Sequence, residues 1–127
     1  VRRLGEAGAR VSLFVEANSD QLSASADAGA DIVELHAGAY AHAIEADDTD
    51  LAERILDQLR DGARIASEAG LEVHAGHGLT FDNVQPVAAI PEVVELNIGH
   101  FLIGEAVFMG LEPAIQHMRE LMDEARA

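Results

Sequence analysis

The sequence predicts an α/β protein built on a parallel sheet, and three observations carry that reading. Four short runs rich in β-branched residues alternate with helical stretches at a spacing too long for hairpins, so right-handed βαβ crossovers are expected. Within the runs, polar residues alternate with apolar ones. Two of the runs end in glycine–histidine turns. Spacing alone leaves two architectures: a small open sheet complete in itself, or half of an eight-stranded βα barrel whose whole needs about 250 residues.

The chain opens at Val1 without a methionine, on what reads as the last turns of a helix, which is expected of a fragment. Residues Arg10 to Ala17 (RVSLFVEA) carry a strand signature, and Asn18-Ser19-Asp20 offers helix caps before an alanine-rich run that ends at Gly29. Residues Asp31 to Ala37 (DIVELHA) repeat the strand. A loop containing Gly38 is expected to lead to a long amphipathic helix from about Asp50 to Ala69, closed by Gly70. The third strand, Leu71 to Ala75, breaks into Gly76-His77-Gly78, and Asn83 to Ile90 can form a short helix despite Pro86. The fourth strand, Val93 to Ile98, turns at Gly99-His100; apolar Phe101 to Met109 follows, then a final helix from about Glu112 to Arg126 with Pro113 in its first turn.

Strands of an open sheet buried on both faces read as nearly continuous apolar runs, and these do not. Alternation in DIVELHA places Ile32, Glu34 and His36 on one face and Val33 and Leu35 on the other. The same period sets Ser12, Phe14 and Glu16 against Val11, Leu13 and Val15, and Glu95 and Asn97 against Val94, Leu96 and Ile98. Polar inner faces with apolar outer faces suit a barrel whose lumen holds an active site.

Composition narrows the partners. Eight arginines supply all the cationic side chains against 23 carboxylates, a net charge of −15 that repels nucleic-acid backbones and anionic membranes. With no lysine there is no Schiff-base or P-loop lysine, and with no cysteine no disulfide or thiolate site. A reducing, cytoplasmic setting is the expectation, and no run approaches the roughly 18 apolar residues of a membrane span.

Among chemically capable residues, Ala75-Gly76-His77-Gly78-Leu79-Thr80 stands first: glycines on both sides let backbone approach a ligand, and His77 can move a proton near neutral pH. Its plainer explanation is a tight turn with a histidine on its shoulder. Gly99-His100 ends the next strand in the same way, and backbone N–H groups at a helix start bind an anion without any lysine. Glu34 shares a polar row with His36, as either a functional carboxylate or half of a hydrogen-bonded Glu–His pair. His74 and His77, three apart, should fall on opposite faces, so no metal site is expected, and no cofactor motif occurs. His42 and His117 read as surface residues.

RVSLFVEA, ADIVELHAGAYA, EVHAGHGLTFDNV and IPEVVELNIGHFLIGEAVFMGL, with the closing helix, resemble the C-terminal half of the pyridoxine 5′-phosphate synthase family over essentially the whole chain. The resemblance implies a (βα)8 TIM barrel in which residues 1–127 supply strands five to eight of a single domain. It implies a homo-octameric transferase of vitamin B6 biosynthesis. That enzyme joins 1-deoxy-D-xylulose 5-phosphate to 3-amino-2-oxopropyl phosphate, giving pyridoxine 5′-phosphate, inorganic phosphate and water. His77 then matches the proton donor, Gly78 a substrate contact, Gly99 and His100 the turn that binds the aminoketone phosphate, and Glu34 the transition-state stabiliser. The family's two general bases, a histidine and a glutamate, lie in the N-terminal half. Nothing here aligns with that half, so this piece alone is expected to be inactive. The segment from Ala41 to Asp50 is slightly longer than the family's usual loop. Another phosphosugar-acting barrel enzyme, or a non-catalytic half-barrel that binds phosphometabolites, is the alternative.

Overall fold

A computed structural model describes all residues, 1–127. After α1 (Arg2–Glu6), the chain runs through β1 (Ser12–Val15), α2 (Ser19–Asp27), β2 (Ile32–His36), α3 (Gly38–Glu45) and α4 (Thr49–Glu68). It continues through β3 (Glu72–Gly76), α5 (Val84–Ala88), β4 (Val93–Asn97), α6 (His100–Met109) and α7 (Leu111–Glu124). All four strands are parallel and stand in chain order, β1-β2-β3-β4, without reversal.

Local chemistry explains the element ends. The Asn18 side chain accepts from the backbone N–H groups of Asp20 and Gln21 at 3.0 and 3.2 Å, starting α2. Asp48 does the same for α4 through Leu51 N–H at 3.0 Å. Gly29 and Gly70 then close these helices at φ 77° and 82°. Pro86 and Pro113 sit in the first turns of α5 and α7, where no intrahelical N–H is required.

Strand alternation works as the sequence predicts in β1 and β2, and β3 follows the same period. The register aligns Phe14, Glu34 and His74 across one face and Val15, Leu35 and Ala75 across the other. The apolar face is sealed by α4, whose Ala52, Leu56, Leu59, Ala63 and Ala66 repeat at helical spacing and join Val33, Leu35, Val73 and Ala75 in one core. Gly62 lets α4 come close to the chain after β1, since a Cβ there would lie 2.8 Å from that of Ala17.

Two expectations are corrected. A bulge on β4 pairs Val73 with Val93 and His74 with Glu95, so Val93 takes the buried place and Val94, expected on the apolar face, is exposed. The segment after Gly38, read as a loop, is helix α3, held by burial of Tyr40 and Ala43. Tyr40 donates to the Asn83 carbonyl at 3.2 Å, and burial pushes its phenol above the ordinary value.

A polar chain crosses the sheet where β3 begins. Arg10 reaches Glu72 at 3.0 Å, and buried His74 lies 2.9 Å from Glu72 and 3.5 Å from Glu95. Hydrogen bonds from Arg10 and then His74 hold the Glu72 carboxyl below the usual carboxylate range. The stabilisation is therefore complete above the ordinary value of 4.5 and is lost as pH falls through the lowered one. In denaturant titrations at neutral pH and at stepwise lower pH, Glu72→Gln should lose less stability on acidification than the parent chain.

At the chain's end the Arg126 guanidinium donates to the carbonyls of Ala88 at 2.7 Å, Ile90 at 3.0 Å and Val93, tying the residue after α7 to the approach to β4. Arg126→Ala should cost about 1–2 kcal/mol in urea unfolding. Arg126→Lys should recover little of it, because one ammonium lacks the planar fork that reaches three acceptors.

Candidate functional site

The carboxyl ends of the strands gather most of the candidate residues. Here β1 gives way to Glu16, β2 ends at His36, β3 runs into His77 and Gly78, and β4 leads through Gly99 to His100. Open α/β sheets and barrels alike bind ligands at this end.

His77 follows β3 with φ 73°, in the left-handed region that non-glycine residues seldom enter. This overturns the expectation that His74 and His77 lie on opposite faces. The left-handed kink breaks the two-residue alternation and swings His77 back over the polar face. Its ring centroid lies 4.9 Å from that of His36 and 6.2 Å from that of Phe14. Gly78, at φ 83°, makes the kink possible, and an added Cβ would meet that of Ala41 at 2.7 Å.

Glu34 and His36 do not pair with each other. Glu34 accepts from Asn97 Nδ2 at 2.8 Å, whereas His36 Nδ1 lies 2.8 Å from Glu16 Oε1. The Glu34–Asn97 bond joins β2 to β4 across β3, and Gly76 leaves the gap. A Cβ on Gly76 would stand 2.6 Å from Glu34 Oε1 and 2.7 Å from the Asn97 carbonyl oxygen.

His77, Gly78 and His100 line one cleft of about 710 Å³, together with Thr80, Asn83 and Phe101. Glu34 and Gly99 are not among the residues that line this cleft. Buried Asn83 shapes its wall, accepting from Thr80 N–H at 2.8 Å and donating to the Gly78 carbonyl at 3.2 Å. Phe81 bridges the two glycine–histidine turns, edge-on to Phe101 at 4.7 Å and to His117 at 4.5 Å. His117, read as a surface residue, is half-exposed and packs its ring against Phe81. Sequence reading passed over the role of Asn83, because a helix-starting asparagine carries no sign of which loop it closes. Gly76 had a signal, a glycine at the inner end of a strand.

Gly99 differs from Gly76 and Gly78. Its φ is −108°, and nothing lies within 4 Å of an added Cβ, so neither conformation nor protein packing demands a glycine.

Against this geometry stand the comparisons with known proteins. The sequence model of the family described as "Pyridoxal phosphate biosynthesis protein PdxJ" matches residues 1–124. This chain belongs to that family. A protein named pyridoxine 5′-phosphate synthase from Caulobacter sp. (strain K31) is 60% identical over 124 residues, 98% of this chain and 49% of its own length. Its namesakes from Ruegeria pomeroyi and Jannaschia sp. (strain CCS1) are 59% and 53% identical over 98% and 97% of this chain. The chain spans about half the length of these curated relatives.

The glycines make a direct test of the site's construction. Gly78→Ala should cost about 1–3 kcal/mol, from left-handed strain and the Ala41 clash. Gly99→Ala should stay within about 0.5 kcal/mol of the parent chain. Thermal unfolding of the two variants side by side measures both.

Proposed function

We propose that this chain forms strands five to eight of a (βα)8 barrel, within an enzyme that makes pyridoxine 5′-phosphate. The substrates are 1-deoxy-D-xylulose 5-phosphate and 3-amino-2-oxopropyl phosphate. The observation that carries the reading is His77, thrown by a left-handed turn over a polar sheet face and into a cleft shared with His100 at the start of α6. Family membership supports it. So does strand order, since a doubly wound open sheet reverses order at a switch point and this one does not.

Imine formation, dehydration and ring closure each move a proton, so acid–base groups must surround one pocket. In this reading His77 is the proton donor and Gly78 contacts substrate. Glu34, oriented by Asn97 across Gly76, stabilises charge in the transition state. Gly99 and His100 grip the aminoketone phosphate. The open space at Gly99 supports that assignment, because a glycine demanded neither by φ nor by protein neighbours fits close approach of a ligand to backbone N–H groups at a helix start. The general bases would come from the other half of the barrel.

The same proposal includes a cytoplasmic homo-octamer. No helix is long and apolar enough to cross a membrane. Helix α6 leaves Ile103, Val107 and Phe108 exposed, apolar surface of the kind that association covers.

The test is product formation by the complete enzyme from the two named substrates. His77→Ala should lower kcat by about 10²–10⁴-fold with the fold intact by circular dichroism. Gly99→Ala should raise KM for the aminoketone phosphate without loss of stability. Normal turnover by His77→Ala would refute the proton-donor role, and absence of pyridoxine phosphate from the parent enzyme would refute the reaction itself.

A further inference from the structure

Beside His77 lies a histidine–carboxylate pair to which the reaction above gives no part. His36 Nδ1 meets Glu16 Oε1 at 2.8 Å. A carboxylate only accepts, so Nδ1 carries the proton and the Nε2 edge faces away from Glu16. That edge converges with His77 on Gly38, where a Cβ would lie 2.5 Å from His36 Nε2 and 3.0 Å from His77 Cδ2. The two imidazoles meet edge to face at 66°, and Phe14 braces His36 from another side at 5.0 Å. Glu16 is anchored in turn, its backbone N–H donating to the Gln21 side chain at 3.0 Å. A histidine at φ 73° persists only where its surroundings over-determine it, and the His36 ring is part of those surroundings.

We propose that Glu16 and His36 form a carboxylate–imidazole pair that positions the His77 ring without touching substrate. The inference rests on His77 being the proton donor. Beyond His77, the other ionisable groups facing the pair are Glu34 on β2 and Asp61 on α4, which lines the same cleft as Glu16 and His36. Glu34 is engaged by Asn97, so Glu16 is the carboxylate in hydrogen-bond contact with His36.

The experiment compares Glu16→Gln, His36→Asn and His77→Ala with the parent in the complete enzyme. Glu16→Gln keeps shape and removes charge at a side chain 57% exposed, so folding is not at stake. Its kcat should fall about ten- to a hundredfold, with KM unchanged within about twofold. His36→Asn retains a donor toward Glu16 but no ring against His77, and should lower kcat to a similar degree.

Parent-like kcat in Glu16→Gln overturns the proposal. So does a change confined to KM, which would mean that the pair touches substrate. His77→Ala separates the two levels of failure. If it is inactive while Glu16→Gln behaves as the parent, only the pair's role falls. If it turns over normally, the donor assignment falls and the pair's role with it.

Discussion

Parallel strands paired in fixed register force residues of one parity onto one face of the sheet, and the placement of every candidate side chain depends on that constraint. Phe14, Glu34 and His74 line up on one side because Val15, Leu35 and Ala75 must line up on the other to meet α4. A slip of one residue in β2 would send Glu34 and His36 into the apolar core and Val33 and Leu35 out of it. Burial of the apolar row thus does two things at once: it holds the sheet to α4 and aims a carboxylate and an imidazole at the opposite face.

On that polar face, side chains meet because others are missing. Gly76 opens the space through which Glu34 and Asn97 bond across a strand, Gly38 lets the His36 and His77 rings converge, and Gly78 admits the turn that lifts His77 above the sheet. These three glycines answer to protein atoms. Gly99 answers to none, and that open space at the head of α6 is what the proposed phosphate grip requires.

The aromatic contacts of Phe81 give the site a second level of order. By meeting Phe101 on α6 and His117 on α7, Phe81 ties the loop that follows His77 to both closing helices. In the proposed reaction those loops hold the proton donor and the phosphate grip. A single ring thus adds a contact between loops that the β3–β4 pairing already brings side by side, and Asn83 closes the first of them through two hydrogen bonds.

The residues in order were enough for four strands, their alternating faces, the main helices and the glycine-flanked His77, because period and capping act between near neighbours and are written in the chain. They were also enough for the family resemblance that the comparisons bear out. Tertiary structure alone decided who partners whom. Glu34 bonds Asn97, 63 positions away, rather than His36 two positions on, because Gly76 opens a diagonal route to Asn97 and the His36 ring is taken by Glu16. The same level of structure exposed Val94 through a bulge, made α3 a helix by burying Tyr40, and turned His77 back over the polar face. Each of these outcomes depends on a contact or a backbone kink that no local periodicity encodes.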